Sequence, residues 1–167
     1  MFDQLRRAVG DLEAVSRALD PNCLDGRAAS TLVEVAARGE RICSAIKALG
    51  ARRVEETNAW RGAGHRSAAH WVAEATGETV GAAGRSLETA RALEHLPETD
   101  AAFRAGQLSP TQAAEITSAA GADPAAEAVL LETAAGTSVK GLRDRCRQVR
   151  AGAEADDAAW ARRLHVE

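Results

Sequence analysis

The stretch HWVAEATGETVGAAGRS, residues 70–86, decides the fold class. Ala73, Gly77 and Thr79 fall at the spacing of a helix, a tight turn and the cap of a second helix, so the segment is predicted to have the shape of a helix-turn-helix. Ala83 then points inward, and Arg85 is free to reach a phosphate. Two departures argue against base reading. Glu78 follows the turn glycine where an apolar residue is usual, and Gly81, Ala82 and Gly84 stand where Gln, Asn, Ser or Arg would read bases. Small residues there suit close helix packing, so two helices meeting at a glycine is preferred to sequence-specific recognition.

Outward from this segment the chain continues to read as helix. Toward the N-terminus, Ser67 caps the first of the two helices, and WRGAGH at 60–65 marks a loop. Before it, Leu32, Val35, Gly39, Ile42, Ile46 and Leu49 repeat at threes and fours, a heptad seam within a helix of about residues 25–58. Phe2, Leu5, Val9, Leu12, Val15 and Leu19 form a similar stripe on a helix of about residues 2–19, ended by DPN at 20–22. These two long helices, with a short connection, are expected to pack antiparallel. Their seam then faces either the chain's own core, the preferred reading, or a partner chain.

Toward the C-terminus, the helix capped by Thr79 stops before Pro97, and ETDAAFRAG makes a short helix closed by Gly106. Ser109, Pro110 and Gln112 spell a capping box, and Asp123 and Ser138 start two further helices. The tail from 151 is helix-permissive, and its last residues could begin a strand. With 39 Ala, no Tyr and two Phe, helix is favoured over sheet throughout. The expectation is an all-α helical bundle of about seven or eight helices in a single domain over 1–167: a long N-terminal helical hairpin (1–58), a cluster of shorter helices (67–150) and a tail (151–167).

Composition bounds function. No stretch approaches the roughly 18 apolar residues of a membrane span, and the acidic opening MFDQLRRAVGDLEAV is neither a signal nor a transit peptide, so a cytoplasmic protein is expected. Cys23, Cys43 and Cys146 lack the paired spacing of a zinc site and are read as buried, reduced thiols. His70 and Glu74 share a helix face near His65, yet no second motif completes a ligand set, so no metal is expected. Nor does the sequence carry a nucleophile elbow, a P-loop or a Cys with a His partner, so no enzyme, cofactor or small-molecule ligand is implied.

The formal net charge of −3 gives no overall attraction to nucleic acid, but charge is segregated along the chain. From Ser138 to Arg150, Lys140, Arg143, Arg145, Arg147 and Arg150 face Asp144 alone. On a helix, Lys140, Arg143 and Arg147 lie on neighbouring rows, a surface suited to DNA phosphates without sequence reading, or simply a solvated face.

WVAEATG at 71–77, ARALEHLPETDAAFRAGQLS at 90–109 and LRDRC at 142–146 resemble an actinobacterial family, the helical domain of unknown function typical of the mycobacterial 13E12 repeat proteins. The resemblance runs from about Leu32 to the C-terminus. It implies a helical domain that usually precedes an HNH nuclease domain, and it transfers no catalytic residue. The nuclease motif is missing here: after His95 the only histidine is His165, with no Asn-His pair following. A fragment, a truncated copy or a natural short form is expected.

Together these readings lead to a non-catalytic, DNA-associated module that contacts phosphates or positions a nuclease, with Arg85, Arg91, Lys140, Arg143 and Arg147 as candidate contacts to double-stranded DNA. The alternative is a homo-oligomerisation or protein-partner module built on Leu32, Val35, Ile42, Ile46 and Leu49.

Overall fold

The computed structural model describes residues 1–164, which contain nine α-helices, three short 3-10 turns and no strand. The helices are α1 (Phe2–Ala18), α2 (Gly26–Glu56), α3 (Ala59–Gly62), α4 (Ala68–Thr76), α5 (Val80–Ala92), α6 (Pro97–Arg104), α7 (Pro110–Ala120), α8 (Glu127–Gly136) and α9 (Val139–Leu164). The chain is thus all-α. One helix beyond the expected seven or eight is α3, a single turn inside the segment read as a loop. It starts where Asn58 takes the left-handed conformation (φ 55°) and breaks α2. The tail to Leu164 continues α9, and the strand considered for the last residues lies outside the described residues.

The chain divides into two compact units, Met1–Ala37 and Arg38–Glu167, with the break inside α2. In the first unit Asp20 ends α1 by accepting a hydrogen bond from the Asn22 amide (3.0 Å), and Asp25 starts α2 by accepting one from the Ala28 amide (2.8 Å). The packed hairpin expected here needs correction. None of the residues of α1 is buried, and its stripe faces solvent, with Phe2 67% and Val15 57% exposed. Amphipathic spacing set the helix, but its own unit offers the stripe no covering surface.

The second unit holds the core. One cluster joins Ala45 and Ala48 of α2 to Ala90, Leu93, Leu96, Phe103, Leu108, Ile116, Leu130, Leu142 and Cys146. A smaller one gathers Ala51, Ala68, Val72, Ala73, Ala83 and Leu87 around the α4–α5 pair. Helix α7 is central: α5, α8 and α9 all pack on it. The buried line of α2 is therefore Ala45, Ala48 and Ala51, one residue out of step with the heptad seam. Of the seam residues Leu32, Gly39, Ile42 and Leu49 are half-buried, while Val35 and Ile46 are exposed.

Gly106 closes α6 with φ 68°, and a Cβ on it would stand 2.7 Å from Ile42 Cγ1 and 3.1 Å from the Arg38 carbonyl oxygen. Its own carbonyl accepts a hydrogen bond from Arg41 Nε at 2.7 Å, which fixes this loop on α2. At the start of α6, the Glu127 carboxylate accepts from both the amide (2.7 Å) and the hydroxyl (2.8 Å) of buried Thr99. A side chain from α8 thereby satisfies donors that the helix itself leaves unpaired.

The reading of all three cysteines as buried is corrected: Cys23, in a turn, and Cys43, on the solvent side of α2, are exposed, and only Cys146 is buried. All three are free thiols.

Candidate functional site

The α4–turn–α5 segment has the local geometry its sequence specifies. Ser67 Oγ accepts from the His70 amide (3.3 Å), Thr79 Oγ1 from the Ala82 amide (3.2 Å), and Gly77 adopts φ 70° between the helices. Ala73 and Ala83 are buried against each other's helices. Glu78, out of place in the helix-turn-helix pattern, has a tertiary role: its carboxylate receives the Lys47 ammonium from α2. The glycines of α5 do not serve close packing, which corrects the earlier reading. A Cβ at Gly84 would meet nothing within 4 Å, and one at Gly81 would meet only the Arg85 guanidinium at 3.7 Å. Beside Arg85 the outer side of α5 is thus bare backbone.

A groove runs along α5, α7 and α9. Arg85, Glu88 and Thr89 of α5, Glu115 and Ser118 of α7, and Arg150 of α9 line one stretch; Lys47, Thr111 and Arg143 extend it toward α2. Glu115 is its electrostatic centre. It accepts from Arg143 Nε at 2.9 Å, and Arg150 lies 3.8 Å from its other oxygen while donating to Ser118 Oγ at 3.4 Å. The α9 residues that reach the groove are set by helical periodicity: Leu142, Cys146 and Val149 point into the core, which leaves Lys140, Arg143, Arg147 and Arg150 on one flank.

The predicted contact residues separate on this frame. Arg85 and Arg143 both line the groove, and Arg85 forms no ion pair among the described residues. Lys140 is exposed in the first turn of α9. Arg147 is exposed and pairs with Asp144 one turn away at 3.2 Å. Arg91 stands apart: its guanidinium makes a two-pronged contact with Glu55 (2.8 and 3.1 Å), which pushes its pKa up. Arg91 is engaged in holding α5 to α2. Sequence reasoning missed Arg150 and Lys47 as groove residues, and Glu115 as the acid between two arginines. The period of α9 could have pointed to Arg150, but nothing local could have pointed to Glu115.

Near the loop, His65 Nδ1 lies 3.6 Å from a Glu74 oxygen, and His70 Nδ1 lies 2.9 Å from Ser67 Oγ. Among the described residues no three His, Cys, Asp or Glu side chains gather as a metal site. None of the described helices is long and apolar enough to cross a membrane.

Residues 29–165 match the family described as "Domain of unknown function (DUF222)". The chain belongs to this family. No curated protein and no solved structure matches it. The DUF222 match begins inside α2, so α1 lies ahead of it, while the groove and the α4–α5 pair lie wholly within it.

Proposed function

We propose that the chain is a non-catalytic, cytoplasmic, DNA-associated helical module that contacts duplex phosphates through the α9 flank and Arg85. The single observation that supports this is the alignment of Lys140, Arg143, Arg147 and Arg150 along one side of α9, where Arg143 and Arg150 line the groove together with Arg85, which has no ion pair among the described residues. With Lys47, six cations in the groove and on this flank meet Glu115, Asp144 and Glu78, all three in ion pairs, and Glu40 and Glu88 on the groove lining. Exposed ion pairs contribute only about 0–1 kcal/mol each, so a phosphate can replace Asp144 at Arg147 at little cost. Base edges are not read in this proposal, because α5 presents Gly81, Ala82 and Gly84. The resemblance to 13E12-type proteins suggests that in longer relatives such a module positions an HNH nuclease, which would supply the chemistry.

Fluorescence anisotropy against a labelled mixed-sequence duplex, at about 50 and 200 mM salt, tests this. Binding is expected to weaken steeply with salt, and Arg143→Ala/Arg147→Ala to lower the salt slope by about two units, roughly 0.9 per phosphate contact. Arg91→Gln, which removes a structural pair, leaves the affinity within about twofold. Absence of binding at the lower salt refutes the proposal.

A second reading, homo-oligomerisation through the heptad seam, is favoured by the exposure of Val35 and Ile46. Ile42 counts against it, since it is packed against Gly106. A concentration-dependent dimer abolished by Ile46→Glu would support this reading.

A further inference from the structure

Helix α1 has 17 residues, lacks a side-chain N-cap, carries Gly10 in its interior and buries none of its residues. It is little longer than the roughly 12–15 residues below which isolated helices are marginal in water, and most helical stability in proteins comes from packing of an amphipathic face. Its stripe remains open: Val9 is 53% and Leu12 55% exposed. We infer that α1 pairs with α1 of a second copy of this chain, antiparallel, as a short two-stranded coiled coil.

Spacing and charge carry the orientation. With Phe2, Val9 and Ser16 at one core position of the heptad and Leu5 and Leu12 at the other, antiparallel alignment sets Val9 against Leu12 of the second copy and fills the gap at Ser16 with Leu5, while Phe2 falls opposite Leu19, the extended residue just after the helix. The flanking positions on one side are Arg6 and Glu13, and on the other Ala8 and Val15, with Met1 at the cap. Antiparallel pairing brings like flanks together, so Arg6 meets Glu13 of the second copy, twice by symmetry. Parallel pairing would set each charged flank against Met1, Ala8 or Val15 and gain no ion pair. Antiparallel helices also align their dipoles favourably. In the single chain Arg6 pairs with Asp3 at 3.0 Å and Glu13 with Arg17; both pairs are exposed and close in sequence, and such contacts exchange at little cost. A further apolar groove in the same unit lies between the connection after α1 and the start of α2, lined by Leu19, Leu24, Ala28, Leu32 and Val35.

This inference uses none of the phosphate-contact residues, so either proposal can fail alone. Sedimentation equilibrium of the intact chain is expected to show a monomer–dimer equilibrium. Leu5→Glu/Leu12→Glu raises the dissociation constant by at least about 100-fold, while the melting temperature, compared at concentrations where both chains are monomeric, stays unchanged because no core contact is lost. Arg6→Glu and Glu13→Arg singly weaken the dimer by about three- to tenfold, and combined they restore it to within about twofold. A monomer at every concentration overturns the inference. So does a dimer that survives Leu5→Glu/Leu12→Glu, which assigns the contact to another face. Failure of the charge exchange to restore pairing overturns the antiparallel register.

Discussion

Gly77 and Gly106 both have positive φ, 70° and 68°, and both end a helix, yet their surroundings differ completely. A Cβ on Gly77 would enter open space, so Gly77→Ala pays only for the left-handed backbone, about 1–2 kcal/mol. A Cβ on Gly106 would lie 2.7 Å from Ile42 Cγ1 and 3.1 Å from the Arg38 carbonyl, and backbone cannot swing aside as a side chain can. Relief requires the loop to move off α2, against the 2.7 Å hydrogen bond from Arg41 to the Gly106 carbonyl. Overpacking adds about 1–3 kcal/mol, so Gly106→Ala is expected to cost about 2–5 kcal/mol in all. That is a large share of the roughly 5–15 kcal/mol that stabilises a domain. Urea unfolding followed by far-ultraviolet circular dichroism measures both variants, and Ile42→Ala in each background isolates the contact. Ile42→Ala removes Cγ1, so the Gly106→Ala/Ile42→Ala pair should couple by about 1 kcal/mol or more, and the Gly77→Ala/Ile42→Ala pair not at all. Equal losses at the two glycines, or zero coupling at Gly106, would refute close packing of this loop on α2. Ile42 would then be available to a partner.

Cys146 is expected to resist thiol reagents that label Cys23 and Cys43 in the native chain, reacting only on unfolding; labelling of all three at similar rates contradicts its burial. Burial pushes the Cys146 thiol above its ordinary value of 9.0, with Glu115 adding to the effect and Arg150 opposing it. The unfolded thiol therefore ionises first. Stability from this residue is intact below about pH 9 and is lost as pH rises through the higher native value, a loss that Cys146→Ala should not show in urea titrations at successive pH values. At the start of α6, Glu127→Ala strands the buried Thr99 hydroxyl and amide and is expected to cost about 1–3 kcal/mol, whereas Glu127→Gln keeps an acceptor and costs less; equal losses in thermal melts would show that the hydrogen bonds are not what matters there.

What was legible in the sequence is what is decided within a few residues. Ser67, Thr79 and Ser109 each accept an amide hydrogen bond three residues on, so their caps and the helix starts they fix could be read directly, whereas Asp123 caps only the 3-10 turn Pro124–Ala126 and α8 begins at Glu127, later than expected and without a side-chain cap. Helix α2 shows where such reading stops. Its Leu and Ile seam catches the eye because those side chains are large, but the line in the core is Ala45, Ala48 and Ala51. In a chain with 39 alanines, that line cannot be told from the other alanines by pattern.

The groove was half legible for the same reason. Helical period places Arg143, Arg147 and Arg150 together, but whether a cation is free or neutralised depends on partners distant in the chain: Arg143 finds Glu115, Arg91 finds Glu55, and Arg85 finds no carboxylate among the described residues. Sequence therefore ranks these arginines equally, and the fold does not. An apolar stripe carries the same ambiguity. It states that a helix needs to be covered, without stating by what; α2 meets that need through a face the stripe does not predict, and α1, with a comparable stripe, leaves every one of its residues unburied.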